Sequence, residues 1–135
     1  FYGVSMFGVK TYLISPEELR MNPETIEEVQ EKFEVEVCEC KNLEEVLPEL
    51  DVLYVVRIQK ERFLDPMEYE KVRRAYKITK EIIEEYAKED LIILHPLPRV
   101  DEVEYDVDDL KQAKYFKQVY FGVPVRAALL KLLLG

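Results

Sequence analysis

The sequence has no tryptophan, only two cysteines and a single histidine, and these scarcities exclude several classes of protein. Two cysteines are too few for a disulfide framework, so we expect a cytoplasmic protein. The four glycines lack the spacing of a phosphate-binding loop, which disfavours a dinucleotide-binding domain, and we expect no cofactor. No window of about 18 apolar residues is present and no charged, apolar leader opens the chain, so neither a membrane span nor secretion is expected.

The chain also has no excess of basic residues, because its formal net charge is −9. Without a basic stripe to neutralise phosphates, a nucleic-acid or anionic-membrane partner is not expected, although the net charge does not exclude a local positive pocket. The 135 residues, 48% apolar and 35% charged, are typical of one globular domain.

The order of hydrophobic patterns predicts alternating strands and helices. We predict strands over 9–14, 33–38, 51–56 and 91–94. We predict helices over 24–32, 42–47, 79–88, 114–120 and 125–134, with a further start at 65–70. Helix-capping residues precede four of them: Asn22, Asn42, Asp65 and Thr79. This alternation predicts an α/β fold, a doubly wound, mostly parallel sheet flanked by helices, with 60–65 as a mobile loop and 100–109 as a surface loop.

One candidate site follows the predicted strand at 91–94, which reads as buried on both faces because all four residues are apolar. Pro96 and Pro98 come directly after it and cannot donate ladder hydrogen bonds, so the backbone is stiff and leaves the sheet. Ligands bind at the carboxyl ends of parallel strands. The turn therefore offers free carbonyls to an amine, and Arg99 offers a charge to an anion.

A second candidate follows the buried run 51–56 and consists of Arg57 and Gln59. If the strand geometry persists for two more residues, both side chains project to the same side. A guanidinium fork beside a neutral amide is suited to a carboxylate ligand, whereas the alternative is a pair of solvated loop residues. Two strands that both end in such groups favour a small-molecule site.

His95 and the two cysteines could have catalytic or metal-binding roles, but for each a structural role is the simpler interpretation. A catalytic His95 would need an orienting carboxylate, for which Asp101 is available, and a nucleophile, which is not nearby. A histidine that fixes the proline turn by hydrogen bonding is the favoured interpretation. Cys38 and Cys40 face one side of a predicted strand, but a metal site needs two more ligands, so we expect buried small residues and no metal.

Three segments together resemble the aspartate-binding half of aspartate carbamoyltransferase catalytic chains: Asp51–Arg62, His95–Glu102 and Tyr115–Leu130. The likeness covers nearly the whole sequence. The related ornithine enzymes carry a cysteine in place of Pro96 and lack the Arg57-Ile58-Gln59 triplet. In the aspartate family the amine of L-aspartate attacks carbamoyl phosphate to give N-carbamoyl-L-aspartate and phosphate, an early step of pyrimidine synthesis.

The resemblance implies substrate-binding roles for four residues. Arg57 and Gln59 would hold the carboxylates of L-aspartate, and the carbonyls of Pro96 and Leu97 would accept hydrogen bonds from the reacting amines. Catalysis would then depend mainly on orientation and charge stabilisation.

It also implies three residues with roles in domain closure. Arg126 would bridge two domains, and Glu68 and Tyr69 would make switching contacts in a loop around 62–74 that swings over the site.

The resemblance further implies that the chain is incomplete. Residues 1–135 would be a Rossmann-like aspartate-binding domain without its first strand and helix, and the carbamoyl-phosphate domain would be absent. No catalytic residue is assigned on this chain, and alone it is expected to be inactive. The expected partners are the remainder of the catalytic chain, two further copies in a homotrimer and, in some family members, regulatory chains. The alternatives are a transcarbamoylase for another amino acid and a non-catalytic binding module.

Overall fold

The computed structural model describes the backbone of residues 1–135 and all side chains except that of Arg62. The chain forms two units, Phe1–Val46 and Leu47–Gly135. Arg62 ends the first segment on which the resemblance rests, and the role of its side chain lies outside the described part of the chain.

The first unit is a parallel strand pair with a helix between the strands. Its elements are α1 (Tyr2–Ser5), β1 (Thr11–Ile14), a 3-10 turn (Glu17–Leu19), α2 (Pro23–Phe33) and β2 (Val37–Cys40). β1 and β2 run parallel, with Thr11 opposite Val37 and Ile14 opposite Cys40. A helix between two parallel strands is the βαβ unit that the alternation predicted.

The predicted cap of α2 is confirmed. Asn22 accepts a hydrogen bond from the Glu24 N–H at 3.0 Å, and Pro23 occupies the first helical position, where its missing N–H costs nothing. Val29 is fully buried on the inner face of this helix. The helix continues through Phe33, whose ring packs edge-on against Tyr2 at 5.2 Å between centroids, so β2 begins four residues later than predicted.

Asn42, which was predicted to cap a helix over 42–47, does not do so. Its amide donates to the Glu45 carboxylate at 2.5 Å, and the segment forms a turn followed by a 3-10 helix at Leu47–Glu49. The short apolar face of this segment and Pro48 leave too few residues for an α-helix, since a helical nucleus must fix several residues for its first hydrogen bond.

The two asparagines give a test of capping by substitution. Replacing Asn22 with alanine should lower the free energy of unfolding by about 1 kcal/mol, because the Glu24 N–H loses its acceptor. Replacing Asn42 with alanine is the matched control and should have a clearly smaller effect, since its side chain bonds Glu45 and accepts from no backbone N–H in the described part of the chain. Urea unfolding of the three proteins measures both values, and equal losses would contradict the assignment.

The second unit holds the other strand pair and the twenty-residue helix. Its elements are β3 (Val52–Tyr54), α3 (Pro66–Ala75), α4 (Lys80–Tyr86), β4 (Ile92–Leu94) and α5 (Tyr115–Leu134), with 3-10 helices at Leu47–Glu49, Lys60–Arg62 and Tyr105–Asp109. β3 and β4 are parallel, and Ile93 also forms a parallel bridge with Ala113 on its other side. The predicted mixed α/β class, with parallel strands and flanking helices, is confirmed.

The predicted caps of α3 and α4 are confirmed as well. Asp65 accepts from the Met67 N–H at 2.8 Å, and Thr79 accepts from the Ile82 N–H at 3.3 Å. Each cap satisfies one of the backbone donors that the first turn of a helix leaves without a partner.

β3 and β4 are buried on one face only, contrary to the burial on both faces predicted for 91–94. Leu53, Val55 and Ile93 lie in the core, whereas Val52 and Tyr54 are about half exposed at 48% and 51%. The apolar run therefore correctly indicated a strand but not which of its faces is covered, because that depends on elements remote in sequence.

The segment 100–109 was predicted to be a surface loop and is instead partly core. Val103 and Val107 are essentially inaccessible, and Val103 forms a bridge with Ile78 ahead of α4. Apolar residues spaced among the acids turn inward, while Tyr105 and Asp109 face solvent.

α5 is one helix, where two were predicted. It runs through Pro124, which has no N–H for the bond to the Tyr120 carbonyl but is accommodated within the twenty-residue helix. Many of its apolar side chains are exposed, including Leu132 and Leu133. None of the helices in the described residues has the length and hydropathy needed to cross a membrane.

Candidate functional site

The second unit brings the carboxyl ends of β3 and β4 to one edge of their sheet. Tyr54 lies opposite Leu94, and the Val55 N–H donates to the Leu94 carbonyl at 2.9 Å, so the pairing continues to the last residues of both strands. Arg57 follows Tyr54 by three residues, as Leu97 follows Leu94. In a parallel pair, both following segments leave the sheet at the same edge.

The turn after β4 has an unusual backbone at Leu97. Leu97 has a φ of +46°, in the left-handed region that residues with a Cβ seldom occupy, and its bond to Pro98 is cis. Its N–H donates to Nδ1 of His95 at 2.9 Å. The predicted role of His95, to fix the proline turn by hydrogen bonding, is confirmed.

His95 is held from three directions and is 1% exposed. Its Nε2 lies 2.7 Å from Oε1 of Glu102, and its backbone N–H donates to Oε1 of Gln118 on α5 at 3.0 Å. The Gln118 amide in turn lies 3.5 Å from the hydroxyl of Tyr54 on β3. The two strands and α5 thus meet around this histidine.

Glu102 is a buried carboxylate with several donors. Its Oε2 accepts from the backbone N–H groups of Val100 and Asp101, both at 3.1 Å. Burial acts to raise the pKa of Glu102, but the backbone donors and His95 outweigh it and hold the pKa below its usual range. Glu102 is therefore a carboxylate at neutral pH.

Asp101, the carboxylate considered for orienting His95, does not do so. It forms a salt bridge with Arg73 of α3, and Arg73 also contacts Glu70 at 2.8 Å. Glu102, its neighbour, takes the position beside the histidine. The Arg73–Asp101 pair also ties the end of α3 to the segment that follows the proline turn.

Arg99 was expected to offer its charge to an anionic ligand, but in the structure its guanidinium is paired with Asp108. Its guanidinium makes a two-pronged bond with Asp108, at 2.5 and 2.6 Å, donates to the Tyr115 hydroxyl at 3.0 Å and lies over the ring of Tyr105. The side chain is only 8% exposed.

The pKa values of this cluster follow from its contacts. The pKa of Asp108 is lowered, first by the hydrogen bond from Arg99, and that of Arg99 is raised by the same bond. Burial and the hydrogen bond with Asp108 raise the pKa of Tyr115 to about 12. Arg99 therefore anchors the end of the proline turn to α5.

The substrate-binding candidates are in the segments that follow the carboxyl ends of β3 and β4. Arg57, Gln59 and Pro96 are exposed, and Leu97 is half-buried. The side chains of Arg57 and Gln59 are thus exposed to solvent, and the contacts of all four residues with a carboxylate or an amine stay predictions.

The domain-closure candidates lie on α3 and α5. Glu68 is exposed near the start of α3, and Tyr69 packs edge-on against Phe63 at 5.7 Å, with the Lys60 ammonium 6.0 Å from its ring. Arg126 is exposed in the middle of α5, where its guanidinium covers Gly122 so closely that an added Cβ would lie 2.7 Å from Nη1. Their proposed switching roles stay predictions.

Two residues of this site were missed by the sequence reasoning. Glu102 lies in a run of acids and Gln118 in a predicted helix, and neither stands out by residue type. The only sequence signal is that Gln118 follows the buried Tyr115 by three positions, which places both on one helix face.

Two clusters have metal-binding residue types. Glu81, Glu104 and Asp106 bring one carboxylate oxygen each within 4.8 Å of the others, but Glu104 is already bonded to the Lys77 ammonium at 2.5 Å. In the first unit, Cys38 and Cys40 are free and half-buried rather than buried, and burial followed by the contact with Glu36 raises the pKa of Cys38.

Comparison with known proteins matches the chain to the family described as "Aspartate/ornithine carbamoyltransferase, Asp/Orn binding domain" over residues 1–133. The chain is 60% identical to the aspartate carbamoyltransferase catalytic subunit of Methanopyrus kandleri, over 99% of this chain and 43% of that protein. It is 52% identical to the solved catalytic subunit of the M. jannaschii aspartate transcarbamoylase, with a TM-score of 0.87 over 98% of this chain and 43% of that one.

A more distant structure carries ligands. The Trypanosoma cruzi aspartate transcarbamoylase in complex with carbamoyl phosphate and aspartate is 34% identical, with a TM-score of 0.71 over 82% of this chain and 37% of that one. The chain spans about two fifths of the length of these relatives. It belongs to the aspartate/ornithine carbamoyltransferase family and corresponds to the Asp/Orn binding domain of that family.

Proposed function

We propose that this chain supplies the aspartate-binding part of an aspartate carbamoyltransferase, which transfers the carbamoyl group of carbamoyl phosphate to the amine of L-aspartate. The observation that supports the proposal is the parallel pairing of β3 with β4, because Arg57-Ile58-Gln59 and Pro96-Leu97 follow the carboxyl ends of these two paired strands. The high identity to catalytic subunits of that name supports the choice of aspartate.

The four predicted residues would bind two kinds of group on the substrate, its carboxylates and its amine. A guanidinium binds a carboxylate through two parallel N–H donors, which gives Arg57 the stronger hold on the diacid and leaves Gln59 a supporting contact. An amine nucleophile carries N–H donors, and the carbonyls of Pro96 and Leu97 are matching acceptors. Together they would orient the amine toward the carbamoyl carbon, and orientation of this kind contributes several kcal/mol to such bimolecular reactions, roughly 7–11 in the best cases.

The chain carries no group that we assign to carbamoyl phosphate. Activation of that substrate would come from the remainder of the catalytic chain, in a homotrimer in the cytoplasm. Arg126, Glu68 and Tyr69 would act in closure of the two domains around the substrates. An exposed arginine on a rigid helix is suited to an ion pair that forms only in the closed state.

The test is an acceptor assay on the catalytic protein that contains this chain. With carbamoyl phosphate, we expect N-carbamoyl-L-aspartate from L-aspartate and little product from L-ornithine. Residues 1–135 without a second polypeptide should give no product. Preference for ornithine, or product with neither amine, would overturn the proposal; turnover by residues 1–135 alone would overturn the assignment of carbamoyl phosphate activation to other segments.

A further inference from the structure

We infer that His95 and Glu102 are positioning residues that aim the Pro96 carbonyl at the substrate, and that the acceptor atom Nδ1 of His95 is the part of the pair on which activity depends. The inference rests on the proposed function, in which this carbonyl accepts from a reacting amine. It concerns two residues that cannot reach a substrate themselves, because they are 1% and 5% exposed.

The two partners of the His95 ring determine where its proton lies. Nδ1 is 2.9 Å from the Leu97 nitrogen, which is an N–H donor, so Nδ1 presents a lone pair and carries no proton. The ring proton is then on Nε2, which faces the carboxylate of Glu102 at 2.7 Å. Glu102 therefore selects the tautomer that leaves Nδ1 free to accept, as a carboxylate behind a histidine does in many sites.

Fixing the Leu97 N–H also fixes a carbonyl. The Leu97 N–H and the Pro96 C=O belong to the same peptide unit, which is planar and trans, so the two bonds point in opposite directions. Because the N–H points to the buried His95 ring, the Pro96 carbonyl points away from that ring, and Pro96 itself is an exposed residue. Nδ1 thus sets the direction of an acceptor that it does not touch.

The backbone conformation of Leu97 depends on surrounding contacts of this kind. Leu97 has a φ of +46°, which costs free energy for a residue with a Cβ and persists only where surrounding contacts determine it. Glu102 closes the segment from the other end by accepting from the Val100 and Asp101 N–H groups. The pair therefore spans the whole turn, from its first residue to its last.

Two substitutions separate the two ring nitrogens. Asparagine at 95 places its oxygen near the position of Nδ1 and can accept from the N–H two residues on, as in an Asx turn, but it cannot reach Glu102. Glutamine extends to the position of Nε2 and can donate to Glu102, but it leaves the Leu97 N–H without this acceptor. Each variant keeps one bond and loses the other.

The experiment compares the whole catalytic protein with the wild-type chain and with the His95→Asn or His95→Gln chain. For each protein it measures Tm and the kcat/KM for aspartate, with the enzyme concentration taken as that of folded protein. We expect His95→Gln to lose at least about tenfold in kcat/KM, because misplaced orienting groups have effects of up to about 100-fold. His95→Asn should stay within about threefold of wild type while having the lower Tm of the two, since Glu102 loses its partner.

A purely structural role predicts the reverse order, with activity following Tm. The inference is overturned if His95→Gln is the more active variant, if the two lose activity equally, or if His95→Gln loses less than tenfold. Should His95→Asn fail to fold, His95→Gln alone decides by the same tenfold threshold. If the wild-type protein does not carbamoylate aspartate, the proposed function has failed before the variants are compared.

Discussion

Replacing Arg57 with alanine should lower kcat/KM for aspartate by about 100-fold or more and leave carbamoyl phosphate binding nearly unchanged. A charge-assisted hydrogen bond contributes about 1.5–3 kcal/mol, and a guanidinium makes two with a carboxylate, so even partial loss corresponds to two orders of magnitude. Steady-state kinetics with each substrate varied in turn, together with titration of carbamoyl phosphate, measure both quantities.

Two further variants sharpen this measurement. Arg57→Lys keeps the charge but loses the planar fork, so its kcat/KM should fall between those of wild type and Arg57→Ala. Lys111→Ala is the charge-matched control, because Lys111 is bonded to Glu89, which precedes β4 at the opposite end of the strand from the site. It should leave aspartate kinetics unchanged. An unaltered aspartate dependence in Arg57→Ala would remove the basis of the substrate assignment.

Replacing Asp108 with alanine should destabilise the chain by about 3 kcal/mol, because the guanidinium of Arg99 would stay buried without its carboxylate. The loss includes the bond between Asp108 and the hydroxyl of the fully buried Tyr115. Denaturant unfolding measures the change. The double variant Arg99→Met, Asp108→Ala removes the uncompensated charge and should recover part of the stability.

An exposed ion pair in the same unit is the control for the Asp108 variants. Glu89→Ala breaks the pair with Lys111, whose partners are 58% and 91% exposed, and should change the stability little. If Asp108→Ala were as mild as Glu89→Ala, the Arg99 cluster would not anchor the proline turn as its geometry indicates.

The features that the sequence predicted well depend on contacts between near neighbours. Asn22, Asp65 and Thr79 cap helices because a short side chain accepts from an N–H two or three residues on. His95 holds Leu97 at the same short range. Asn42 has the same side chain as Asn22 but a different partner, since the residues after it do not continue as an α-helix.

The features that the sequence did not predict depend on partners distant in the chain. Arg99 has the residue type of an anion site, and only the fold shows that Asp108 and Tyr115 already occupy its donors. Glu102 is one of many acids, and it is buried beside Val103, whose backbone forms a bridge with the distant Ile78. For the same reason the exposure of Val52 and Tyr54 was not foreseen.

The β3–β4 register joins residues that are 40 positions apart, Val52 and Ile92, and this separation has a consequence for folding kinetics. Closing a loop of that length has an entropic cost that local contacts cannot offset early, so the strand edge should assemble after the helices between the two strands. The Val55 amide, which donates to Leu94 across this junction, is then a natural probe. Pulse-labelling hydrogen exchange should find it protected later than the amides of α4.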